Sequence, residues 1–435
     1  MIRFATIRNT IIAVLALALA ACGGEQKKPA DDEKAAGEEE PGEEEAAGEE
    51  EPGEKEAAPA AVPGRTLLVT ESQFKANEEG KYTVPEAAVM LLLEPAAGEW
   101  EATRIEDTES NVFHKALPYG DEGILTLGAE EALLKLWTES DGDWKSETLW
   151  HPDFGGEHNR LRDFEIADLD GDGTDDLAIA THDQGVVAVV WRRGEKWEPQ
   201  EIAREKDTFV HEIEIGDLDG DGKLEIYATP SQPNTASGVD QGGKVLRFEW
   251  NGKGFDEDEV VSLDKRHIKE ILVADVEGDG TQELYAAVEA EMGEGGKIVA
   301  PVEIRRYDWK DGELTFSRVT GITDRFCRFL VAGDVDGDGA DELIATAFSA
   351  GVWVIEKQGD AWKSKCIDAD SGGFEHASYL ADIDGDGTPE LYVADDNGGV
   401  IRRYVHAGGK YAGEVIHRRD IPASAMVWNI TVADL

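Results

Sequence analysis

The sequence predicts an all-β chain folded as a seven-bladed β-propeller with four antiparallel strands in each blade. An acidic phrase of nine residues occurs five times, at intervals of 48 to 59 residues, and a blade of four strands has about that length. A Gly-containing turn followed by an aromatic residue occurs seven times, as expected for the hairpin that leads into the outermost strand of a blade. These aromatic residues are Trp100, Trp144, Trp197, Phe255, Phe316, Trp362 and Tyr411. Five blades with an acidic loop and two blades without one account for both repeats.

The first 21 residues predict a bacterial lipoprotein signal peptide. A short basic start, MIRFATIRNT, precedes an apolar stretch, IIAVLALALA, that is short for a membrane span. The stretch ends in Leu19-Ala20-Ala21-Cys22, which resembles the bacterial lipobox, and the resemblance implies cleavage before Cys22 and a lipid on its thiol. Gly23 follows, rather than the Asp that retains enteric lipoproteins at the inner membrane, so we expect export to the outer membrane of the cell envelope. An ordinary secretory signal is the alternative.

Residues 22–64 predict a disordered tether. They consist largely of Glu, Ala, Gly and Pro, and the stretch EEEPGEEEAAGEEEPGEKEAAP nearly repeats itself. Like-charge blocks without aromatic residues cannot bury enough apolar surface to fold. The segment would hold the propeller away from the membrane, and an acidic interaction tail is the alternative interpretation.

The charge and the cysteines exclude some partners. The formal net charge is −51, whereas a protein that binds nucleic acid needs a basic face. Anionic lipid should repel such a chain, so the lipid anchor has to provide the membrane contact. Cys327 and Cys366 are expected on the inner and outer strands of one blade, too far apart for a disulfide, and we expect both to be buried and reduced. We expect the propeller to be a monomer.

The propeller is predicted to span residues 65–435, with its first blade built from both ends of the chain. RTLLVTE, AAVMLLLE and EWEATRI, within residues 65–105, supply three strands but no inner strand. Residues 424–435, which contain MVWNITVADL, have the pattern of the missing inner strand, and pairing it with residues 65–71 would close the ring and leave few free sheet edges. The second blade has LPYGDEG in place of the acidic loop, so it should bind no metal.

The five acidic phrases predict calcium-binding loops between strands. They are DLDGDGTDD, DLDGDGKLE, DVEGDGTQE, DVDGDGADE and DIDGDGTPE, and each lies between two short apolar runs. Carboxylates at positions 1, 3, 5 and 9, with the backbone carbonyl of position 7, can converge on one hard cation. Gly at position 6 is expected to have a positive φ. An EF-hand is excluded because position 12 is Ile, Ala or Val and not the bidentate Glu that such a loop needs.

These phrases resemble FG-GAP/VCBS repeats, which form the propeller of integrin α-subunits. The resemblance covers about residues 65–435 and implies up to five calcium ions. It places the ligands, with the main-chain ligand of position 7 included, at Asp168, Asp170, Asp172, Thr174 and Asp176; Asp217, Asp219, Asp221, Lys223 and Glu225; Asp275, Glu277, Asp279, Thr281 and Glu283; Asp334, Asp336, Asp338, Ala340 and Glu342; and Asp382, Asp384, Asp386, Thr388 and Glu390. Glu277 has a longer side chain than the usual Asp at position 3, so the third site should be the weakest.

A second candidate site lies at the opposite end of the inner strands. A basic or titratable residue precedes each acidic loop by six positions, and the closing strand has a Trp at the equivalent place. The set is Arg162, His211, Lys269, Arg328, His376 and Trp428. Such a ring at one mouth of the central channel could receive a carboxylate, a sulfate or an acidic sugar. Ion pairing between blades is the structural alternative, because the adjacent acids Asp163, Glu212 and Glu270 place an acid within reach of the basic residues.

The function predicted from these features is a surface-tethered, calcium-stabilised binding or adhesion module. Its ligand would be an acidic glycan or a protein on the face opposite the calcium loops. No nucleophile elbow, zinc-protease helix, phosphate loop or nucleotide fingerprint occurs in the sequence. A polysaccharide-acting hydrolase or lyase, or a passive scaffold subunit of an envelope complex, is the alternative, and the sequence leaves the question of catalysis open.

Overall fold

The computed structural model describes residues 64–435, apart from residues 79, 81, 97, 130, 156–158, 183, 233–241 and 420–424. The predicted signal peptide, Cys22 and all of the predicted tether except Gly64 lie outside the described residues. The described part consists of strands, turns and one short 3-10 helix, Glu294–Gly296. No helix in this part of the chain has the length and apolar character required to span a bilayer.

The strands form seven four-stranded antiparallel blades, which confirms the predicted fold class. The first three blades, in chain order, contain β1 (Arg65–Ala76), β3 (Ala88–Ala96) and β4 (Glu99–Asp107), with the added strand β2 (Tyr82–Pro85) in the β1–β3 connection; β5 (Val112–Tyr119), β6 (Gly123–Ala129), β7 (Leu134–Ser140) and β8 (Asp143–Trp150); and β9 (Leu161–Ala167), β10 (Asp176–Thr181), β11 (Val186–Arg193) and β12 (Lys196–Arg204).

The fourth and fifth blades have the same order from the channel outwards, and the fifth carries an added hairpin. They contain β13 (Phe209–Gly216), β14 (Glu225–Gln232), β15 (Gly242–Trp250) and β16 (Phe255–Leu263); and β17 (Ile268–Ala274), β18 (Glu283–Val288), the hairpin β19 (Glu291–Met292) and β20 (Ile298–Ala300), β21 (Val302–Lys310) and β22 (Glu313–Ile322).

The last two blades and the closing strand complete the ring. They are β23 (Cys327–Gly333), β24 (Glu342–Ala347), β25 (Val352–Gln358) and β26 (Ala361–Asp368); β27 (Ser378–Ala381), β28 (Glu390–Asp395), β29 (Val400–Ala407) and β30 (Lys410–Arg418); and β31 (Ala425–Asp434).

The C-terminal strand is the inner strand of the first blade. β31 pairs antiparallel with β1 from Arg65 opposite Asp434 to Gln73 opposite Ala425. Val427 and Ile430 of β31 are fully buried in one cluster with residues of blades 1 and 7. The two ends of the described chain are therefore held in one sheet.

The hydrophobic core lies between adjacent blades. The second strands β10, β18, β24 and β28 are buried along their whole length, whereas the residues of the outer strand β12 are all exposed or half-buried. Aromatic residues at the start of the outer strands pack against the preceding blade, as Trp197 does against Tyr119 with ring centroids 5.0 Å apart, and Trp100 against Tyr392 at 6.0 Å. Most of the repeated aromatic residues thus join neighbouring blades, whereas Phe316 is 60% exposed and packs against Tyr307 of its own blade.

The two cysteines are free and three strands apart in one blade. Cys327 is buried on β23, but Cys366 on β26 is half-buried, so the prediction that both are buried is wrong for Cys366. Outer strands face solvent on one side, which explains the difference. Burial raises the pKa of both thiols.

The strand order gives the propeller two distinct faces. The loops from first to second strands, which include all five acidic phrases, lie on one face, here called the acidic face. The loops from second to third strands lie on the opposite face, and three of them are long: the β1–β3 connection with β2, the β14–β15 connection, and the β18–β21 connection with its hairpin. Long loops on one rim are a frequent means of building a ligand surface.

Candidate functional site: acidic loops and the channel mouth

The five acidic loops share one backbone arrangement. In every loop the position 1 carboxylate accepts the N–H of position 6, and the position 5 carboxylate accepts the N–H of position 7. In the first loop Asp168 accepts from Gly173 at 2.8 Å, and Asp172 accepts from Thr174 at 2.9 Å. The position 6 glycines have positive φ, 86° at Gly173, which confirms the prediction, and the position 4 glycines do too, 74° at Gly171. A side chain would strain the backbone at either place.

Carboxylate oxygens converge in four of the loops. They lie within 4.8 Å of one another in the groups Asp168, Asp170 and Asp176; Asp217, Asp219, Asp221 and Glu225; Asp334, Asp336 and Glu342; and Asp382, Asp384 and Glu390. Each group could hold a metal ion. Among these four loops the position 5 carboxylate joins its group only in the second, although the sequence predicts it as a ligand throughout.

The third loop is different. Among the described residues, Asp275, Glu277, Asp279 and Glu283 do not form such a group. Glu277 instead contacts the guanidinium of Arg306 and the ammonium of Lys357. The longer side chain of Glu277 reaches both cations, so this loop has the least suitable carboxylates for an ion.

The carboxylate oxygens of these loops suit a hard cation. Asp176 is 0% exposed and its Oδ2 accepts no hydrogen bond, and the buried Oδ1 of Asp382 is also without a partner. Burial raises the pKa of Asp176 to about 6, although the N–H of Arg192 and the charge of Arg193 oppose this shift. A buried carboxylate oxygen without a donor is costly, and a cation bound to oxygen ligands would remove that cost.

Arginines on third strands supply positive charge to the loops, which the sequence analysis missed. Arg247 on β15 donates to Asp219 at 2.5 Å and to Glu225 at 2.9 Å. In β15, β21 and β29 the arginine stands opposite the Tyr at position 11, as Arg247 stands opposite Tyr227. The hydroxyl of that Tyr donates to the position 9 Glu, at 2.8 Å from Tyr227 to Glu225. The repeated Tyr and Arg at fixed spacing were a sequence signal for this contact.

The opposite face carries a ring of side chains directed into the channel. Six inner strands have a β-bulge near their start, and a bulge re-aims the side chain that it carries. The bulged residues, here called the mouth ring, are His114, Arg162, His211, Lys269, Arg328 and Trp428. Five of them were predicted. His114 was missed because its blade has no acidic loop from which to count.

The prediction that His376 belongs to the ring is wrong. His376 has a φ of 59°, and its imidazole bonds to the Ser371 hydroxyl at 2.8 Å and the Ala347 carbonyl at 2.7 Å, so it points between blades. The preceding residue, Glu375, takes the place in the channel. The backbone turn at His376 shifts the pattern by one residue, which a count from the loop cannot detect.

Glu375 joins two arginines of the mouth ring. Arg162 donates to one of its carboxylate oxygens at 3.2 Å and Arg328 to the other at 2.8 Å. Arg162 also lies 3.1 Å from Nε2 of His211 and places its guanidinium 5.5 Å from the centre of the Trp428 ring. These contacts reach from blade 3 to blades 1, 4 and 7, so the ring spans the channel axis.

The ring does form ion pairs between blades, through Glu375, but the adjacent acids named in the structural alternative are not its main partners. Asp163 bonds Lys115 at 2.9 Å and accepts the N–H of Ile213, and Glu270 accepts the N–H of Leu330 at 2.7 Å. Only Glu212 approaches its neighbour, His211, at 3.9 Å. Burial raises the pKa of Glu212 and Glu270 well above the ordinary value, and neighbouring carboxylates add to the shift.

The mouth contains three cationic side chains and neutral histidines. Burial, reinforced by Arg162, lowers the pKa of His114 and His211 well below the ordinary value. Burial also lowers the pKa of Lys269 to about 8, and the charge of Glu289 offsets only part of this effect. Glu289 lies 4.0 Å from Lys269, and the nearby cations outweigh its own burial and lower its pKa to about 2.

Aromatic side chains border the same mouth. The Arg328 guanidinium lies 4.3 Å from the centre of the Phe374 ring and 4.7 Å from that of Phe326, and both rings are half-buried. Trp428, predicted as a stacking face, is buried instead. His114 packs edge-on against its ring at 4.7 Å, and the indole N–H of Trp428 donates to the Ser72 hydroxyl. Phe326 and Phe374 are therefore more accessible to a ligand than Trp428.

Comparison with known proteins supports the repeat and the fold. Residues 168–228 match the model of the FG-GAP-like repeat, so the chain carries such a repeat in its first two acidic loops. No curated protein sequence matches the chain.

Two solved structures resemble this propeller. One is a protein from Lactobacillus plantarum, 9% identical, with 84% of this chain and 99% of that chain covered and a TM-score of 0.52. The other is a putative 6-phosphogluconolactonase from Bacteroides fragilis, 12% identical, with 86% and 100% covered and a TM-score of 0.55. At these identities the likeness shows the fold alone.

Proposed function

We propose that this protein is a calcium-stabilised binding module whose ligand is an acidic glycan, held at the channel mouth on the face opposite the acidic loops. The propeller with its FG-GAP-like repeat supports a binding module. The observation that carries the position of the ligand site is the mouth ring, because six inner strands bulge near their start and direct one long side chain each into one opening.

The chemistry of the mouth favours an anion. Arg162, Lys269 and Arg328 outnumber the carboxylates of Glu289 and Glu375 in contact with them. A guanidinium binds a carboxylate or sulfate with paired hydrogen bonds, and sugar rings stack on aromatic faces such as those of Phe326 and Phe374. The rest of the molecule is strongly acidic, so attraction has to come from these short-range contacts.

The acidic loops serve stability in this proposal. Their ligands are oxygens, as calcium prefers, and weaker extracellular calcium sites work at about 10⁻⁴–10⁻³ M ion. An exported protein meets such concentrations. We propose that a lipid on Cys22 anchors the chain at the bacterial cell envelope, in the outer membrane, and that residues 22–64 tether the propeller to it.

A glycan array tests the ligand site. The purified chain, in calcium, is screened against neutral and acidic glycans beside a double variant, Arg162→Gln with Arg328→Gln. Arg192→Gln serves as the matched control, because Arg192 pairs with Glu122 at 3.0 Å, away from the mouth ring. We expect acidic glycans to bind the native chain and the control but not the folded double variant.

Three outcomes would contradict the proposal. Acidic-glycan binding that survives in the double variant would remove the ligand from the mouth. A folded native chain that binds no glycan would favour a protein partner, and turnover of a bound polysaccharide would favour the enzyme alternative.

A further inference from the structure

Four of the five acidic loops already contain a guanidinium between their carboxylates. In each, an arginine from the third strand of the same blade contacts the carboxylates of positions 3 and 9. The contacts are Arg193 with Asp170 at 2.5 Å and Asp176 at 3.4 Å, Arg247 with Asp219 at 2.5 Å and Glu225 at 2.9 Å, Arg306 with Glu277 and with Glu283 at 2.9 Å, and Arg403 with Asp384 and Glu390.

The loop from Asp334 to Glu342 is the exception. Its carboxylates pair with no Lys or Arg side chain among the described residues and accept backbone N–H groups instead. The place opposite position 11, which holds an arginine in three other blades, holds Val354, 1% exposed. A cavity of about 280 Å³ reaches the loop, lined by Asp338, Glu342 and Lys357 among others, but the ammonium of Lys357 contacts Glu277 of the neighbouring loop.

The second loop shows what the arginine does to a site. Both carboxylate oxygens of Glu225 have donors, Arg247 on one and the Tyr227 hydroxyl on the other. Arg247 also donates a hydrogen bond to Oδ2 of Asp219. A cation that entered this loop would have to displace protein donors. In the loop of Asp334, by contrast, the carboxylates of positions 3 and 9 accept hydrogen bonds only from backbone N–H groups among the described residues.

We propose that the third-strand arginines set the calcium affinity of the five loops. The loop from Asp334 to Glu342 is then the one tight calcium site, and the other four are weak sites because a guanidinium already occupies part of their carboxylate oxygens. The inference rests on the calcium part of the proposed function. Calcium and a guanidinium seek the same oxygens and repel each other. At about 5 Å this repulsion weakens binding by about tenfold even at the dielectric constant of water.

Calorimetric titration of the calcium-depleted full chain with calcium tests the grading. The native chain should show one tight site per molecule and a class at least about tenfold weaker. Asp336→Asn should remove the tight site. Arg403→Gln should add a second tight site, because the carboxylates of Asp384 and Glu390 lose their guanidinium. Arg402→Gln, the matched control on the same strand, should change nothing, since Arg402 pairs with Asp395.

The outcomes separate the two proposals. Sites of equal affinity, or a tight site that survives Asp336→Asn, would overturn the grading and leave calcium binding intact. An unchanged number of tight sites in folded Arg403→Gln would do the same. If the folded native chain bound no calcium, the calcium part of the proposed function would be wrong. If Arg403→Gln does not fold, the Asp336→Asn titration decides alone.

Discussion

Glu375 is the residue at the channel mouth whose replacement should cost most. Its carboxylate is 1% exposed and accepts hydrogen bonds from Arg162 at 3.2 Å and from Arg328 at 2.8 Å. In Glu375→Gln the side chain keeps its shape, but only one amide oxygen can accept, and the new NH₂ group faces a guanidinium. Both arginines therefore lose this counter-charge: Arg162 keeps no other carboxylate partner among the described residues, whereas Arg328 keeps Glu289 at 3.8 Å.

The expected loss of stability is about 3–5 kcal/mol, the cost of removing one partner from a buried ion pair. Two charge-assisted hydrogen bonds of about 1.5–3 kcal/mol each give a similar range. Total free energies of unfolding are about 5–15 kcal/mol, so the variant should fold but be far less stable.

Denaturant unfolding measures this loss as a lower midpoint at an unchanged slope. Glu109→Gln is the control, since Glu109 is 71% exposed in its ion pair with Lys135 and should cost about 1 kcal/mol or less. A cost below about 1 kcal/mol for Glu375→Gln would refute the reasoning, because the carboxylate would then not be needed to neutralise the two arginines.

Three further predictions concern calcium, ring closure and pH. Chelation should lower the melting temperature markedly, and an unchanged value would contradict the calcium proposal. Ile430→Ala on the closing strand should cost about 2–5 kcal/mol in denaturant unfolding, whereas Val299→Ala, 65% exposed, should stay within about 0.5 kcal/mol; equal costs would mean that β31 does not hold the ring. Burial lowers the pKa of Lys269 to about 8, so the mouth loses charge as pH rises through 8 and acidic-glycan affinity should fall between about pH 7 and 9, but not in Lys269→Arg. The same shift means that the unfolded chain binds more protons than the folded one between about pH 8 and 10.5, so this group makes stability rise with pH in that window.

The blades and the acidic loops could be predicted because their signals are local and repeated. A glycine with positive φ at position 6, or an aromatic after a turn, has the same meaning in each blade, whatever lies elsewhere in the fold. Closure was predictable for a different reason. Residues 424–435 form a strand pattern without a partner, and the first blade lacked an inner strand.

The channel mouth depends on contacts that a repeat does not encode. Counting six residues before a loop finds bulged residues in four blades but fails where the backbone turns at His376 and where the loop is missing, at His114. Arg162 and Arg328 share one partner, Glu375. It lies more than 200 residues from Arg162 and more than 45 residues from Arg328 along the chain. Sequence reasoning could identify basic residues near the mouth but not the carboxylate that holds them.

The two faces of the propeller should be separable by mutation. Asp168 in the acidic loop follows Arg162 in the mouth ring by six positions, about 20 Å along β9, and salt screens charges beyond about 8 Å at physiological ionic strength. Asp384→Ala removes a carboxylate that pairs with Arg403, so it should lower the free energy of unfolding by about 1–3 kcal/mol. Glycan binding measured on the array should remain, because no contact connects Asp384 to the mouth ring among the described residues. Loss of binding in a folded Asp384→Ala protein would place the ligand on the acidic face instead and make the loops part of the binding surface.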